Sequence, residues 1–246
     1  MKRTLYLVML LSFTLTTVAQ NAPQRNDLMF SISFGTGSHI GTSAPPPNLS
    51  NYTLAAPMTA WFDKNPILGI EGRWLMTDRW SLRLAGGFNY SFNPGFSELT
   101  GTADPSLPTL TPGEIPTYNA VANADNIQFH IGIGADYYFR SFGDNLFLRI
   151  GGELRYAYGR VTRNAADSED YMGATLGEAF SFGIAPVIGA DYFFSRNLFI
   201  GFDIRPLAYQ YSVFNERPQA GLSLLSSNNH NFAILARPTL KVGIRF

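Results

Sequence analysis

The sequence predicts an all-β protein, an eight-stranded antiparallel up-and-down transmembrane β-barrel with short periplasmic turns and four long external loops. Three observations predict it. Apolar and polar residues alternate with period two along eight segments, as strands with two unlike faces require. The connections between those segments are alternately long and short. Sorting each segment by parity leaves large apolar side chains on one face and glycines mixed with charges on the other.

Composition agrees. Aromatic residues make up 14% of the chain and charged residues only 15%, the latter below the roughly 25% of an ordinary soluble domain. The 18 Lys and Arg are balanced by 18 Asp and Glu, so no net charge points to nucleic acid or to an acidic substrate.

The chain opens with "MKRTLYLVMLLSFTLTTVAQ", where Lys2 and Arg3 precede an apolar run from Leu5 to Val18 and the small Thr17 and Ala19 precede Gln20. This is the pattern of a cleavable secretory signal, and the run is shorter than the roughly 20 apolar residues of a spanning helix. The expected organisation is a signal peptide over 1–19, an N-terminal extension over 20–27 and the barrel over 28–246. The chain has no Cys, hence neither a lipoprotein attachment site nor a disulfide framework.

Strands are expected near 28–37, 66–76, 80–92, 127–140, 146–159, 178–194, 198–211 and 231–246. Only "TDR" separates the second from the third, "SFGDN" the fourth from the fifth and "SRN" the sixth from the seventh. The other four connections are rich in Pro, Asn, Ser, Thr and Gly, the longest being "NPGFSELTGTADPSLPTLTPGEIPTYNAVANAD". Such a loop argues against a compact soluble domain but suits the outer end of a membrane barrel. An internal echo, "GADYYF" at Gly134 and "GADYFF" at Gly189, suggests hairpin duplication.

The apolar face includes Phe30, Ile70, Leu84, Phe88, Ile133, Leu154, Phe182, Ile188, Phe202 and Ile244. The opposite face carries Glu71, Arg73, Arg83, His130, Asp136, Arg149, Glu153, Arg155, Asp191, Asp203, Arg205, Arg237, Lys241 and Arg245 among glycines. Volume decides which face is inside, because an eight-stranded barrel is just wide enough for its own side chains. Glycines alternating with charges fit that lumen; the bulky apolar set does not, so it faces lipid. Trp74, Trp80, Tyr137, Phe139, Tyr192 and Phe194 near the short turns, with Tyr90, Phe92, Tyr156, Tyr158, Tyr209 and Tyr211 nearer the loops, form two interfacial girdles. Closure satisfies every backbone polar group, as lipid demands.

With its signal-like start, eight amphipathic strands and final strand "PTLKVGIRF" ending on Phe246, the chain resembles the small eight-stranded outer-membrane β-barrel family. That group contains the outer-membrane protein A transmembrane domain and single-domain, porin-like relatives. The resemblance implies residence in the outer membrane of a Gram-negative bacterium, contact with lipopolysaccharide, and delivery by periplasmic chaperones to the barrel-assembly machinery. Leu240, Val242, Ile244 and Phe246 then match the assembly signal. A monomer without nucleic acid partners is expected, with no peptidoglycan-binding domain after the barrel.

Charges inside a narrow lumen must be paired, and Asp136 with Arg149, and Glu71 with Arg83, are the pairs expected from strand spacing. The full network is expected to hold Glu71, Arg73, Arg83, Asp136, Arg149, Glu153, Arg155, Asp191, Asp203, Arg205, Arg237 and Lys241. Its bases outnumber its acids, which would favour anions if water passes. His39, His130 and His230 have no metal-ligand spacing, so no metal or cofactor is expected. Catalysis would have to come from loop residues such as His39, Asp167 and Ser168. The expected role is therefore a non-enzymatic, envelope-stabilising barrel with surface interaction loops. The alternatives are a small channel or lateral conduit for small or hydrophobic solutes and, less favoured, a lipid A-modifying enzyme.

Pro186, Pro206 and Pro238 stand out, since each removes a ladder donor from a sheet without free edges. Each lies eight residues from Phe194, Leu198 or Phe246 at the short-turn end, on the lipid-facing parity. They are expected to share one level, about 19 Å up the wall, with local bulges that open a lateral seam.

Overall fold

The computed structural model describes residues 22–36, 66–102, 112–118, 121–164, 174–218 and 221–246. Eight antiparallel strands form a closed barrel in chain order: β1 (Leu28–Thr36), β2 (Pro66–Leu75), β3 (Trp80–Asn93), β4 (Asn123–Phe142), β5 (Leu146–Asn164), β6 (Thr175–Phe193), β7 (Leu198–Arg217) and β8 (Leu225–Arg245). The ring closes where β1 pairs with β8, from Met29↔Arg245 to Gly35↔Thr239. The expected signal segment lies outside the described residues.

The short turns are held by their own side chains. Thr77 Oγ1 accepts from the backbone N–H of Trp80 at 2.9 Å between β2 and β3, and Ser195 Oγ does the same for Leu198 at 3.2 Å between β6 and β7. A hydroxyl in that position replaces a missing ladder partner and fixes a tight reversal. Between β4 and β5 the reversal uses Gly143 at φ 64°, a left-handed conformation glycine adopts without a Cβ penalty.

The parity assignment holds along the wall. Phe30, Ile70, Leu84, Phe88, Leu154 and Phe182 are exposed, while Glu71, Arg73, Arg83, Asp136, Arg149, Asp191 and Asp203 are buried in the lumen. Exposed side chains of this size, in a ring without edges, are what a hydrocarbon solvent selects.

Strands β4 to β8 run longer than the alternation suggests, 19 to 21 residues each against nine in β1. At about 3.3 Å per residue and a tilt near 45° they rise roughly 45 Å, well above an apolar band of about 25 Å. Their outer ends, such as "LSSNNHN" in β8, are polar on both faces and carry no strand signal of their own. Pairing with a long neighbour extends them.

Three register shifts interrupt the ladder. One lies between Tyr138 and Arg140 of β4 and has no proline near it. The other two fall at the prolines. Between β6 and β7 the register runs Ile184↔Tyr209 and resumes at Ile188↔Ile204, so residues 185–187 oppose residues 205–208. Between β7 and β8, Asp203↔Thr239 is followed by Arg205↔Ala236, so residue 204 opposes residues 237–238. Leu235 and Arg237 take left-handed φ values of 54° and 47° there, which costs non-glycine residues energy.

Candidate functional site in the barrel lumen

The lumen is filled in tiers, and glycine makes the filling possible. Many of the large charged side chains are cross-paired with a glycine on a neighbouring strand: Asp136 with Gly151, Glu153 with Gly134, Arg149 with Gly189, Asp191 with Gly201 and Arg155 with Gly132 and Gly183. A Cβ on Gly189 would sit 2.6 Å from Asp203 Oδ1 and 2.7 Å from Arg149 Cζ, and one on Gly134 would sit 2.9 Å from Arg83 Nη2. The ion network occupies the volume those side chains leave.

In the tier nearer the short turns, Arg149 contacts three carboxylates. Its Nη1 is 3.2 Å from Asp136, its Nε 3.1 Å from Asp191, and its Nη2 binds Asp203. Arg73 reaches Asp191 at 2.6 Å and Glu71 at 2.7 Å. Lys241 bridges Glu71 and Asp203, each at 2.5 Å. Arg83 extends between Asp203 at 3.3 Å, Glu153 at 3.5 Å and Asp136 at 3.6 Å.

The expected Asp136–Arg149 pair is thus present as part of a larger cluster. The expected Glu71–Arg83 pair is not formed. The register sets Glu71 opposite Ala85 and Arg83 opposite Arg73, so Arg83 turns away from its cationic neighbour toward the acids of β4, β5 and β7. Glu71 takes Arg73 and Lys241 instead.

Above this tier, toward the long connections, stand Arg155, Arg205 and Arg237. Glu153 binds Arg155 and accepts Arg205 Nη2 at 2.8 Å and Nε at 3.3 Å. Arg205 Nη1 also donates to the carbonyl of Arg237 at 3.0 Å, and Arg237 Nη2 donates to Gln210 at 3.3 Å. Of the remaining expected lumen cations, Arg245 lies at the short-turn rim, 3.7 Å from Asp27.

Below the ion tiers is an apolar floor absent from the sequence expectations. Met29, Leu75, Tyr138, Phe147, Phe193 and Phe199 are buried together inside the short-turn end. Arg245 sits 4.8 Å over the Phe193 ring, and Tyr138 donates to Asp191 at 2.8 Å, joining floor to network. Residues of the expected N-terminal extension close it from beneath: Ala22 packs on the cluster, Arg25 N–H donates to Asp78 at 2.9 Å, and Arg245 Nη1 donates to Ala22 O at 3.1 Å. Parity held the signal for this floor, since Tyr138 follows Asp136 and Phe193 follows Asp191 by two residues. The repeated "GADY(Y/F)F" therefore delivers one acid to the ion tier and one ring to the floor in each copy.

Leu240, Val242, Ile244 and Phe246 form an exposed lipid-facing stripe, and the Phe246 ring lies 6.2 Å from Phe30 across the β1–β8 closure. Pro186 and Pro238 are exposed on the outer wall and Pro206 half-buried. The loop residues considered for catalysis, His39, Asp167 and Ser168, lie outside the described residues. Among the described residues no group of His, Asp and Glu is arranged to hold a metal ion.

With this architecture in place, comparison with protein families assigns residues 54–246 to the OmpA-OmpF-like porin family. The chain belongs to that family. It is an eight-stranded outer-membrane β-barrel. Among solved structures, OprG from Pseudomonas aeruginosa aligns at 12% identity over 93% of this chain and 99% of its own, with a TM-score of 0.48. Outer Membrane Protein W of E. coli aligns at 15% identity over 91% and 99%, TM-score 0.43. Ail, the attachment invasion locus protein of Yersinia pestis, aligns at 13% identity over 90% and 99%, TM-score 0.42. No curated protein matches the sequence.

Proposed function

We propose that this porin-family member is a non-enzymatic barrel that stabilises the outer membrane and presents its long external connections for surface interaction, with a lumen closed to ions. The observation that carries this reading is the double closure of the lumen. Arg149, Arg83, Arg73 and Lys241 interlock with four acids across the bore, and six apolar side chains close the end beneath them. A buried network of this kind is a poor path for ions, since each charge already lies within ion-pair distance of an opposite charge and displacing one removes a contact from its partners. In this reading the surrounding lipid includes lipopolysaccharide, and the stripe Leu240, Val242, Ile244 and Phe246 is read by the assembly machinery. Planar bilayers test the closed lumen. Purified protein is expected to leave the membrane at baseline conductance, and steady single-channel steps that change on replacing Arg149 would overturn it.

A second reading, a lateral conduit for small hydrophobic solutes, is favoured by one specific observation. The β6–β7 and β7–β8 pairs lose register at the proline level, while the β5–β6 ladder stays in register through Pro186. A wall that has exchanged ladder bonds for bulges opens at lower cost than a continuous one. The conduit would join the upper lumen to the lipid without crossing the ion tier.

A further inference from the structure

The upper lumen brings together two features that neither reading above has used and the wall discontinuity on which the second reading rests. The first is charge. Arg155 and Arg205 converge there on Glu153 with Arg237 beside them, and among the described residues the guanidiniums of this tier outnumber its carboxylates. The second is space. A cavity of about 40 Å³ lies between these side chains and Ser33, Glu71, His130, Thr239 and Lys241, the one carboxylate of this lining, Glu71, being paired with Lys241 and Arg73. That is several times the least a single water needs, enough for one carboxylate or phosphate-sized group and too little for a sugar.

The third feature is the discontinuity in the wall beside that cavity. Arg237, a cavity residue, is also the left-handed residue of the β8 bulge, and Arg205 fastens the cavity to the bulge by donating to the Arg237 carbonyl. On the lumen side of the discontinuity lie Ala185, Ala208, Ala233 and Ala236, all buried. On the lipid side lie the exposed Leu207, Ile234 and Leu235 with Pro238. Nowhere else described does the inner face of the wall carry a cluster made solely of alanines. At this level the wall carries small apolar side chains inside and larger apolar ones outside, and a cation cluster sits at its inner edge.

We infer that the upper lumen is a binding site for a single-chain anionic amphiphile, its acidic head held by Arg155, Arg205 and Arg237 and its alkyl chain lying across the β7–β8 discontinuity. This rests on the lateral-conduit reading for the way in, but the site itself requires only binding. Guanidiniums suit such a head because their planar donor forks match two or three oxygens at once. The hydroxyl of Ser33 adds a neutral donor, while that of Thr239 donates to the Arg237 carbonyl at 3.0 Å and braces the bulge. The alanines give the first methylenes a surface without polar groups, and the chain continues into the lipid where Leu207 and Ile234 already stand.

Isothermal titration of the purified barrel in a neutral maltoside detergent tests the site with three probes: dodecanoate, dodecanol and inorganic phosphate. Dodecanoate is expected to bind, phosphate to compete with it in unmodified protein, and dodecanol to bind at least tenfold more weakly. Ala236→Trp is expected to weaken dodecanoate at least tenfold and leave phosphate unchanged. Arg155→Gln with Arg237→Gln is expected to weaken both, with heat-modifiable gel mobility reporting that the barrel is folded. Equal binding of dodecanol and dodecanoate, or failure of phosphate to compete, would overturn the head-group assignment without recourse to any variant. Phosphate binding as tight as dodecanoate would reduce the site to a free oxyanion site and overturn the amphiphile. Failure of the conduit has a separate signature: dodecanoate binds as described but is not exchanged with lipid in vesicles carrying the barrel.

Discussion

Two tiers of one lumen solve the problem of buried charge differently. The lower sets Arg73, Arg83, Arg149 and Lys241 against Glu71, Asp136, Asp191 and Asp203, four cations to four anions, over an aromatic floor. The upper sets Arg155, Arg205 and Arg237 against Glu153, beside a cavity and two register shifts. Balanced in charge, the lower tier is built to stay shut. The upper tier holds its cations close at a cost in mutual repulsion, which fixed structure alone does not require. Under the proposed anion site, stability and binding are separated along the barrel axis, with Arg83 as the link through its 3.5 Å approach to Glu153.

The largest effect that distinguishes the tiers is expected from Arg149→Ala. Removing this guanidinium leaves Asp136, Asp191 and Asp203 without their shared partner, and breaking a buried pair costs about 3–5 kcal/mol. The urea midpoint, read by heat-modifiable mobility, should fall accordingly. Adding Asp136→Ala should recover only part of the loss, because Asp191 and Asp203 still lack one of their cations, Asp191 keeping Arg73 and Asp203 keeping Lys241 and Arg83. Full recovery would mean that Asp136 and Arg149 form an isolated pair and that the tier is not one network.

That cluster marks the limit of what the sequence discloses. Period-two alternation identifies the strands, and parity with volume places Glu71, Arg149 and Asp203 inside, because both depend only on residues near in sequence and on the width of the barrel. Which carboxylate meets which guanidinium depends on stagger and on contacts across the bore. Arg83 opposite Arg73 could not be known without the β2–β3 register, and Lys241 to Glu71 spans the β1–β8 closure. The floor was hidden for another reason. Tyr138, Phe147, Phe193 and Phe199 have inward parity, but a polar lumen is the default expectation for such barrels, so rings near the turns read as girdle. The prolines, by contrast, were legible, since a missing N–H in an edgeless sheet requires a local rearrangement wherever it falls. The bulge beside Tyr138 carries no comparable residue, and nothing in the sequence marks it.

A smaller effect sharpens the comparison within a single strand. Gly189 and Gly183 both face inward on β6, one in each tier. A Cβ at Gly189 meets Asp203 at 2.6 Å and Arg149 at 2.7 Å, whereas one at Gly183 has its nearest neighbour at 3.5 Å. Overpacking costs about 1–3 kcal/mol, so Gly189→Ala should be destabilising by that amount and Gly183→Ala by well under 1 kcal/mol, on the same scale. Equal losses would show the upper tier to be as tightly packed as the lower.

The smallest effect is expected from Arg237→Gln, and its sign is informative. Arg237 is buried, like Arg149, and by burial alone its loss should be comparable. The charge environment predicts otherwise. Arg155 and Arg205 stand in the same tier, and Glu153 is already engaged by both. Deleting one cation from such a group removes repulsion along with a hydrogen bond to Gln210, and the glutamine amide retains a donor for that partner. A net hydrogen bond contributes about 1 kcal/mol, and relief of like-charge contact offsets it, so the urea midpoint should shift by less than about 1 kcal/mol in either direction. Raising phosphate in the buffer should then stabilise the parent barrel and leave Arg237→Gln unmoved, since a ligand stabilises only the state that binds it. A loss as large as that of Arg149→Ala would instead show that a carboxylate from the external connections completes the upper tier, making both tiers balanced and closing the cavity to any anion from outside.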